Sequence, residues 1–374
     1  MGRRRRAPTP PAAIGPAVCG GTGAGRRAAT AALGAGMVAV LALACVPTRG
    51  GWDVDGLRRA RPAIAALPGE RIGDLVPFPA LALDAEEASE RVELVACRFP
   101  APSTLRVATL GAGWWEEAGG PALSALASAL EPEGLALRRV ADAETEAVGI
   151  RIEAFHGEGP ELPEGLGDTL VECDVAPRPA DAGPRGRILR AEVRMRRSGR
   201  DAAGRLRSAS EAEWAGALLH ELGHALGYAG HAATGDSIFV RDEFELRNVG
   251  RRVLRGEPLE DATLRALLAL EPGEWLGARR LEERDADWVR AVRALDRRWR
   301  DAGGRRVEVV ASVGDREARW SVRYADGRRL GLRFPGWPDR LREGRELLVF
   351  PDRETLAALR ASLQDGEAES GISP

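Results

Sequence analysis

Residues 210–231 read SEAEWAGALLHELGHALGYAGH, and the interpretation of the whole chain starts from them. Ser210 followed three residues later by Glu213 is the pattern of a capping box, in which the two side chains satisfy orphan backbone N–H groups reciprocally. Gly227 is a natural left-handed stop. The spacing therefore predicts a helix from about Glu211 to Leu226. At 100° per residue, Trp214, Leu218, Leu222 and Ala225 share one face, while Ala217, His220 and His224 share another. The two histidines are thus expected on a side that the core does not claim, one turn apart, with imidazoles that converge on one ion. Glu221 projects beside them, within reach of a water on that ion. In a chain with only four histidines, an accidental H-E-x-x-H has odds on the order of a few in a thousand. Zn²⁺ is the expected cofactor, and three of the four histidines lie within these residues.

The residues alone leave the third donor open. His231 is the nearest imidazole, whereas Asp236, Glu243 and Glu245 are candidate carboxylates, the last two at about the distance beyond the motif that carboxylate-ligated zinc sites use. The run His220-Glu221-Leu222-Gly223-His224-Ala225-Leu226-Gly227-Tyr228-Ala229-Gly230-His231 resembles the active-site stretch of the metzincin metalloproteases. HELGHALG in particular is similar to that of the matrixin branch. The resemblance implies an α+β, zincin-like catalytic domain, with a mixed sheet and an active-site helix, over about residues 99–275. It also implies His220, His224 and His231 as metal ligands and Glu221 as general base in peptide hydrolysis.

The chain departs from that family's pattern twice. The third histidine falls one residue late, because Gly230 occupies the usual place, and a bulge at Gly230 is expected to absorb the extra residue. In Ser237-Ile238-Phe239-Val240, Phe239 stands where the methionine of the family's turn beneath the metal is expected. Elsewhere Ala147–Phe155 resembles the strand that aligns substrate at the sheet edge, and Pro258–Leu270 resembles the helix that closes the catalytic domain. Tyr228 is read as a packing residue.

Outward from this stretch the chain has 374 residues, room for two or three domains. Its 54 basic residues are all arginine and are offset by 56 acids, for a net charge of −2. Phosphate neutralisation is therefore not a driving force, and no nucleic-acid partner is expected. The run Arg194, Arg196, Arg197, Arg200 reads as a solvated strand edge and turn. Residues 1–44 carry six of the arginines and no acid, and no charge falls between Ala28 and Ala44. That is the pattern of an export signal rather than a spanning helix. Ala42-Leu43-Ala44 offers the small residues a signal peptidase accepts, and Cys45 after them resembles the lipid-modified cysteine of bacterial lipoproteins, a candidate membrane anchor. Cys97 and Cys173 then suit a disulfide in an oxidising compartment. A matrixin-type role for Cys97, capping the zinc, is the alternative, but Arg98-Phe99-Pro100 does not match that switch motif.

Residues 45–98, with Pro62, Pro68, Pro77 and Pro79, read as an N-terminal segment or tether. Strands are expected at Leu105–Leu110, Leu135–Val140, Val148–Phe155, Thr169–Val175 and Ile188–Met195, with a helix over Pro121–Leu130. Residues 276–374 read as a small C-terminal α+β domain: a helix over Arg280–Arg300, strands at Val307–Val313, Ala318–Tyr324 and Arg329–Phe334, and a helix near Glu354–Leu363. His156 reads as a surface residue at a strand end, and Trp114 and Trp115 as packing at a helix entry. The sequence as a whole predicts an exported zinc endopeptidase acting on a protein or peptide substrate. The alternative is a catalytically idle zincin-fold surface lipoprotein that binds a partner, although a purely structural zinc has no use for Glu221.

Overall fold

Alternation of period two lays down strands in both halves of the chain, and the computed structural model shows where they meet. It describes residues 77–84, 91–110, 118–140, 149–155, 165–177, 185–200, 205–228, 230–232, 237–314, 316–343 and 345–369. In chain order, β1 (Phe78–Ala80), β2 (Arg91–Val95) and β3 (Ser103–Leu110) precede α1 (Gly120–Leu130), β4 (Leu135–Val140) and β5 (Ile150–Phe155). Next come β6 (Gly167–Asp174), β7 (Arg187–Arg196), the short hairpin of β8 (Ser198–Arg200) and β9 (Leu206–Ser208), and α2 (Glu211–Ala225). Then follow α3 (Glu243–Leu254), α4 (Ala262–Leu268), β10 (Trp275–Arg280) and α5 (Glu283–Asp301). The C-terminal part supplies β11 (Arg306–Val313), β12 (Glu317–Tyr324), β13 (Arg329–Pro335), α6 (Trp337–Arg342), β14 (Phe350–Pro351) and α7 (Arg353–Glu369).

The fold is α+β around a mixed sheet of nine strands, ordered β14-β13-β12-β11-β6-β7-β5-β3-β4. Strands β4, β3, β5 and β7 run parallel, and β6 returns antiparallel beside β7. In β6, Thr169, Val171 and Cys173 alternate inward and are buried. In β7 a register shift opposite Glu172 and Cys173 breaks the alternation, as one extra residue does. This is why Ile188 and Ala191 are both buried while Leu189 between them is 41 % exposed. Cys173 is joined to Cys97 by a disulfide with the Cα atoms 6.1 Å apart. Both sulfurs are therefore committed, and Cys97 does not cap a metal.

Three expectations are corrected. Residues 276–374 do not build a sheet of their own: β11 pairs antiparallel with β6, from Val310↔Asp174 to Val313↔Val171, and β10 pairs with β2. An uncovered β6 would leave a row of backbone donors and acceptors at the sheet edge, and β11 satisfies part of it. The segment expected as a tether supplies β1 and β2, where Phe78, Val92, Leu94 and Val95 are fully buried; pairing with β10 gives these short runs the partner that sequence could not show. The resemblance of residues 147–155 to an edge strand also fails, since β5 lies between β3 and β7. Of the five strands from β3 to β7, β6 borders the C-terminal strands.

α2 packs across the sheet and against α3. Its apolar face, Trp214, Leu218 and Leu222, is buried, each leucine contributing roughly 1.5–3 kcal/mol of transfer free energy. The other face is covered too, so every residue from Glu213 to Ala225 is buried. The histidine side is thus enclosed by neighbouring structure rather than left outside the core. Among the described residues no helix is long and apolar enough to cross a membrane.

Candidate metal centre

The capping box forms as the sequence predicts. Ser210 Oγ accepts from the Glu213 N–H at 3.3 Å, and Glu213 Oε2 accepts from the Ser210 N–H at 2.9 Å. Arg207 on β9 grips the same carboxylate with both guanidinium nitrogens, at 2.7 and 2.9 Å. That hydrogen bonding, helped by Ser210, holds the Glu213 carboxyl down to about 2. α2 ends one residue earlier than expected, with Leu226 as its cap. Gly227 then takes φ +106°, and a Cβ there would lie 1.9 Å from the Cys97 carbonyl oxygen, so only glycine lets the chain turn under the helix.

From α2, His220 and His224 direct their Nε2 atoms to within 3.1 Å of each other. Each Nδ1 faces a backbone carbonyl, Ile238 for His220 at 2.6 Å and Tyr228 for His224. A carbonyl only accepts, so both Nδ1 atoms carry the proton and both Nε2 atoms present lone pairs. Two lone pairs at that separation repel unless a cation lies between them. His231 completes the group. Its ring centroid lies 5.0 Å from that of His220 and 4.9 Å from that of His224, and the three donor atoms fall within 4.8 Å of one another. Burial, and next the His224 imidazole, push the His220 pKa down to about 3, so the ring is neutral. The donor set therefore fits a divalent metal that takes neutral imidazoles, zinc among them, and each ligand on α2 has the carbonyl partner that fixes its tautomer.

The turn at 237–240 positions two of these ligands. Ala232, next to His231, donates its N–H to the Phe239 carbonyl at 2.8 Å, and the Ile238 carbonyl orients His220. The buried carboxylate of Asp261 pins the turn: its Oδ2 accepts from Ser237 Oγ at 2.9 Å and from the Ile238 N–H at 2.7 Å. Its Oδ1 caps α4 through the N–H groups of Thr263 and Leu264. Phe239, fully buried, stacks against Tyr228 with centroids 3.8 Å apart and lies edge-on beneath His224 at 6.3 Å. An aromatic pair thus fills the floor of the site, and Tyr228 packs as expected.

Glu221 faces β6. Its Oε2 accepts from Thr169 Oγ1 at 2.7 Å, and both residues are buried. A Cβ on Gly167 would sit 2.5 Å from the Glu221 Cγ, so the absence of a side chain there makes room for the carboxylate. A cleft of about 1270 Å³ opens over this corner, bordered by Gly167, Thr169, His220, Glu221, His231 and Arg316 among others.

The triad gathers His220, His224 and His231 and excludes two of the alternative carboxylates. Glu243 is exposed and faces Arg207 at 3.9 Å, Glu245 lies two residues further along the first turn of α3, and neither is among the converging donors. Asp236, His156, Trp114, Trp115 and Cys45 lie outside the described residues. The arginine run is solvated only in part: Arg194, paired with Asp168 at 2.8 Å, is half-buried and Arg197 at the bend after β7 is exposed, but β7 is interior to the sheet and Arg196 is buried against the Gly165 carbonyl. Thr169, Gly167 and Asp261 went unread in the sequence. Asp261 carried a local signal as a helix cap, but its reach to Ser237 and the Thr169–Glu221 contact span parts of the chain that only the fold joins. No protein-family model matches the chain, and neither does any curated protein.

Proposed function

We propose that this chain is an exported, zinc-dependent peptidase of zincin type, with His220, His224 and His231 as ligands and Glu221 as general base. One observation carries the reading: two Nε2 lone pairs 3.1 Å apart, their Nδ1 protons committed to carbonyls, beside the buried carboxylate of the next residue. The mixed sheet packed against the histidine-bearing helix α2 supports the zincin assignment, and the Cys97–Cys173 disulfide supports export.

A zinc ion at the three imidazoles would supply Lewis acidity, lowering the pKa of a water to about 7 and polarising a peptide carbonyl. Glu221 takes the proton from the attacking water and returns it to the departing amine. Thr169 holds one carboxylate oxygen of Glu221, which fixes the direction from which the proton is taken. The Ile238 and Tyr228 carbonyls keep the imidazoles of His220 and His224 in the donor tautomer throughout.

Metal analysis together with a peptide digest tests this reading. The wild-type chain should bind zinc at about one equivalent and hydrolyse peptides. Glu221→Gln should keep the metal and lose turnover. A chain that binds no zinc, or a Glu221→Gln variant of undiminished activity, would sink it.

A further inference from the structure

β6 has two neighbours but not along its whole length. Toward β7 it is paired from Gly167 to Asp174. On its other side β11 covers only Val171–Asp174. Gly314, the residue after β11, is already in the turn to β12: its N–H donates to the Glu317 carbonyl at 3.1 Å. A Cβ on Gly314 would lie 3.6 Å from the Thr169 carbonyl oxygen and 3.7 Å from the Leu170 side chain, so Gly314 stands beside the Thr169 carbonyl and Leu170. Among the described residues, no strand pairs with Gly167, Asp168 or Thr169 on that side. This short uncovered edge is the part of β6 against which Glu221 lies, and it borders the cleft together with Gly314 and Arg316.

An extended peptide adds to such an edge through its main chain. β11 runs antiparallel to β6, and antiparallel pairing is slightly the more stable per residue, so a peptide entering in β11's line is taken to continue it in the same direction. Its amino end then meets the turn at Gly314, and its carboxyl end runs past Gly167. Each residue of a strand advances about 3.4 Å, and Glu221 reaches up between the levels of Gly167 and Thr169.

We infer that the cleft takes peptides by their amino-terminal end, with Gly314 at the end of β11 as a wall, and that the bond hydrolysed lies within about three residues of the substrate's amino terminus. This rests on the peptidase reading and narrows the endopeptidase expectation to an amino-terminal trimming activity. In the reaction one water is consumed: its oxygen bonds to the carbonyl carbon, the C–N bond breaks, and the proton held by Glu221 goes to the new amine.

The experiment is digestion of a degenerate decapeptide library by the zinc-loaded chain, with products sequenced by mass spectrometry and Glu221→Gln as control. Amino-terminal products should be short and carboxyl-terminal products long. Lengthening the amino end of a cleaved peptide by about five residues should lower kcat/KM by about 10² fold, the cost of displacing the reacting bond. The same extension should weaken binding of the labelled peptide to Glu221→Gln, measured by fluorescence anisotropy, while an equal extension of the carboxyl end should leave binding unchanged. Long amino-terminal products would overturn the inference and leave the peptidase intact, and short carboxyl-terminal products would reverse the direction of binding and overturn it too. Zinc bound without hydrolysis of any peptide would remove the peptidase reading on which the inference depends.

Discussion

Among the described residues, two of the buried polar clusters are satisfied in opposite ways. At one, around Asp296 of α5, every charge has its counterpart. Asp296 is fully buried and accepts from Arg306 Nε at 2.8 Å, from Arg300 Nε at 3.2 Å and from the Tyr324 hydroxyl. Arg306 in turn reaches Asp84 at 2.9 Å. Burial works against the Arg306 charge, but its hydrogen bonds to Asp296 and Asp84 outweigh that and raise its pKa, and the Arg306 hydrogen bond holds Asp84 down. The cluster ties α5 to β11 and β12 and needs nothing from outside. At the other, His220 and His224 turn Nε2 lone pairs toward one another, and His231 brings a third donor within 4.8 Å of them. Burial near 5 % exposure for His224 and 7 % for His220 is tolerable for neutral rings, but their convergence is favourable only around an added positive ion. A closed polar network holds structure, and an open donor set calls for a ligand.

The sharpest test of that contrast is ligand removal. His220→Ala or His224→Ala should reduce zinc from about one equivalent to near none by metal analysis, together with activity. His231→Ala should cost zinc affinity nearly as severely, whereas alanine at Asp236, Glu243 or Glu245 should cost at most about 10 to 100 fold, the range of a residue that only orients a ligand. Zinc kept by the His231 variant and lost by a carboxylate variant would place a carboxylate in the coordination sphere.

Next in size is Glu221→Gln, which leaves every ligand in place. Turnover should fall by roughly 10² to 10⁴ fold with zinc content unchanged. The opposite pattern belongs to the closed network: Asp296→Ala leaves Arg306 with Asp84 alone and empties a fully buried acceptor site, and should cost about 3–5 kcal/mol in a denaturant titration, while zinc affinity of the folded protein stays as it was. Loss of zinc affinity in folded Asp296→Ala would show that the two clusters are coupled.

The smallest expected effect concerns Glu213 at the start of α2. Its carboxyl is held at about 2, below its ordinary 4.5, so its contribution is fully present above pH 4.5 and is lost as the pH falls through about 2. Glu213→Gln should lower stability by about 1 kcal/mol at neutral pH, as loss of a helix cap does. The difference in Tm from wild type should close near pH 2, and a gap of constant size at both pH values would rule out the titrating carboxylate as its source.

The helix carrying the metal site was legible because its determinants are local. Ser210, Glu213 and Gly227 mark its ends through contacts within a few residues, and the four-residue spacing of His220 and His224 fixes their relation by helix geometry alone. The strands β3 to β7 and β11 to β13 were legible for the same reason, through alternation and apolar runs. What the sequence could not determine is which strands neighbour one another. Nothing in Val307–Val313 says that it joins Val171–Asp174 across more than a hundred residues, because pairing is a matter of backbone hydrogen bonds that every residue offers equally. The same limit hid β1, β2 and β10, each short and stable only beside the others. It also hid Thr169, Gly167 and Asp261, ordinary residues until the fold brings them to Glu221 and to the turn beneath His220. The sequence by itself determined the pair of imidazoles, the carboxylate beside them and the helix that bears them. The tertiary structure decided the third imidazole's place, the carbonyl and carboxylate partners that hold the site, and the strand that closes one end of the cleft, since these depend on distances between residues far apart in the chain.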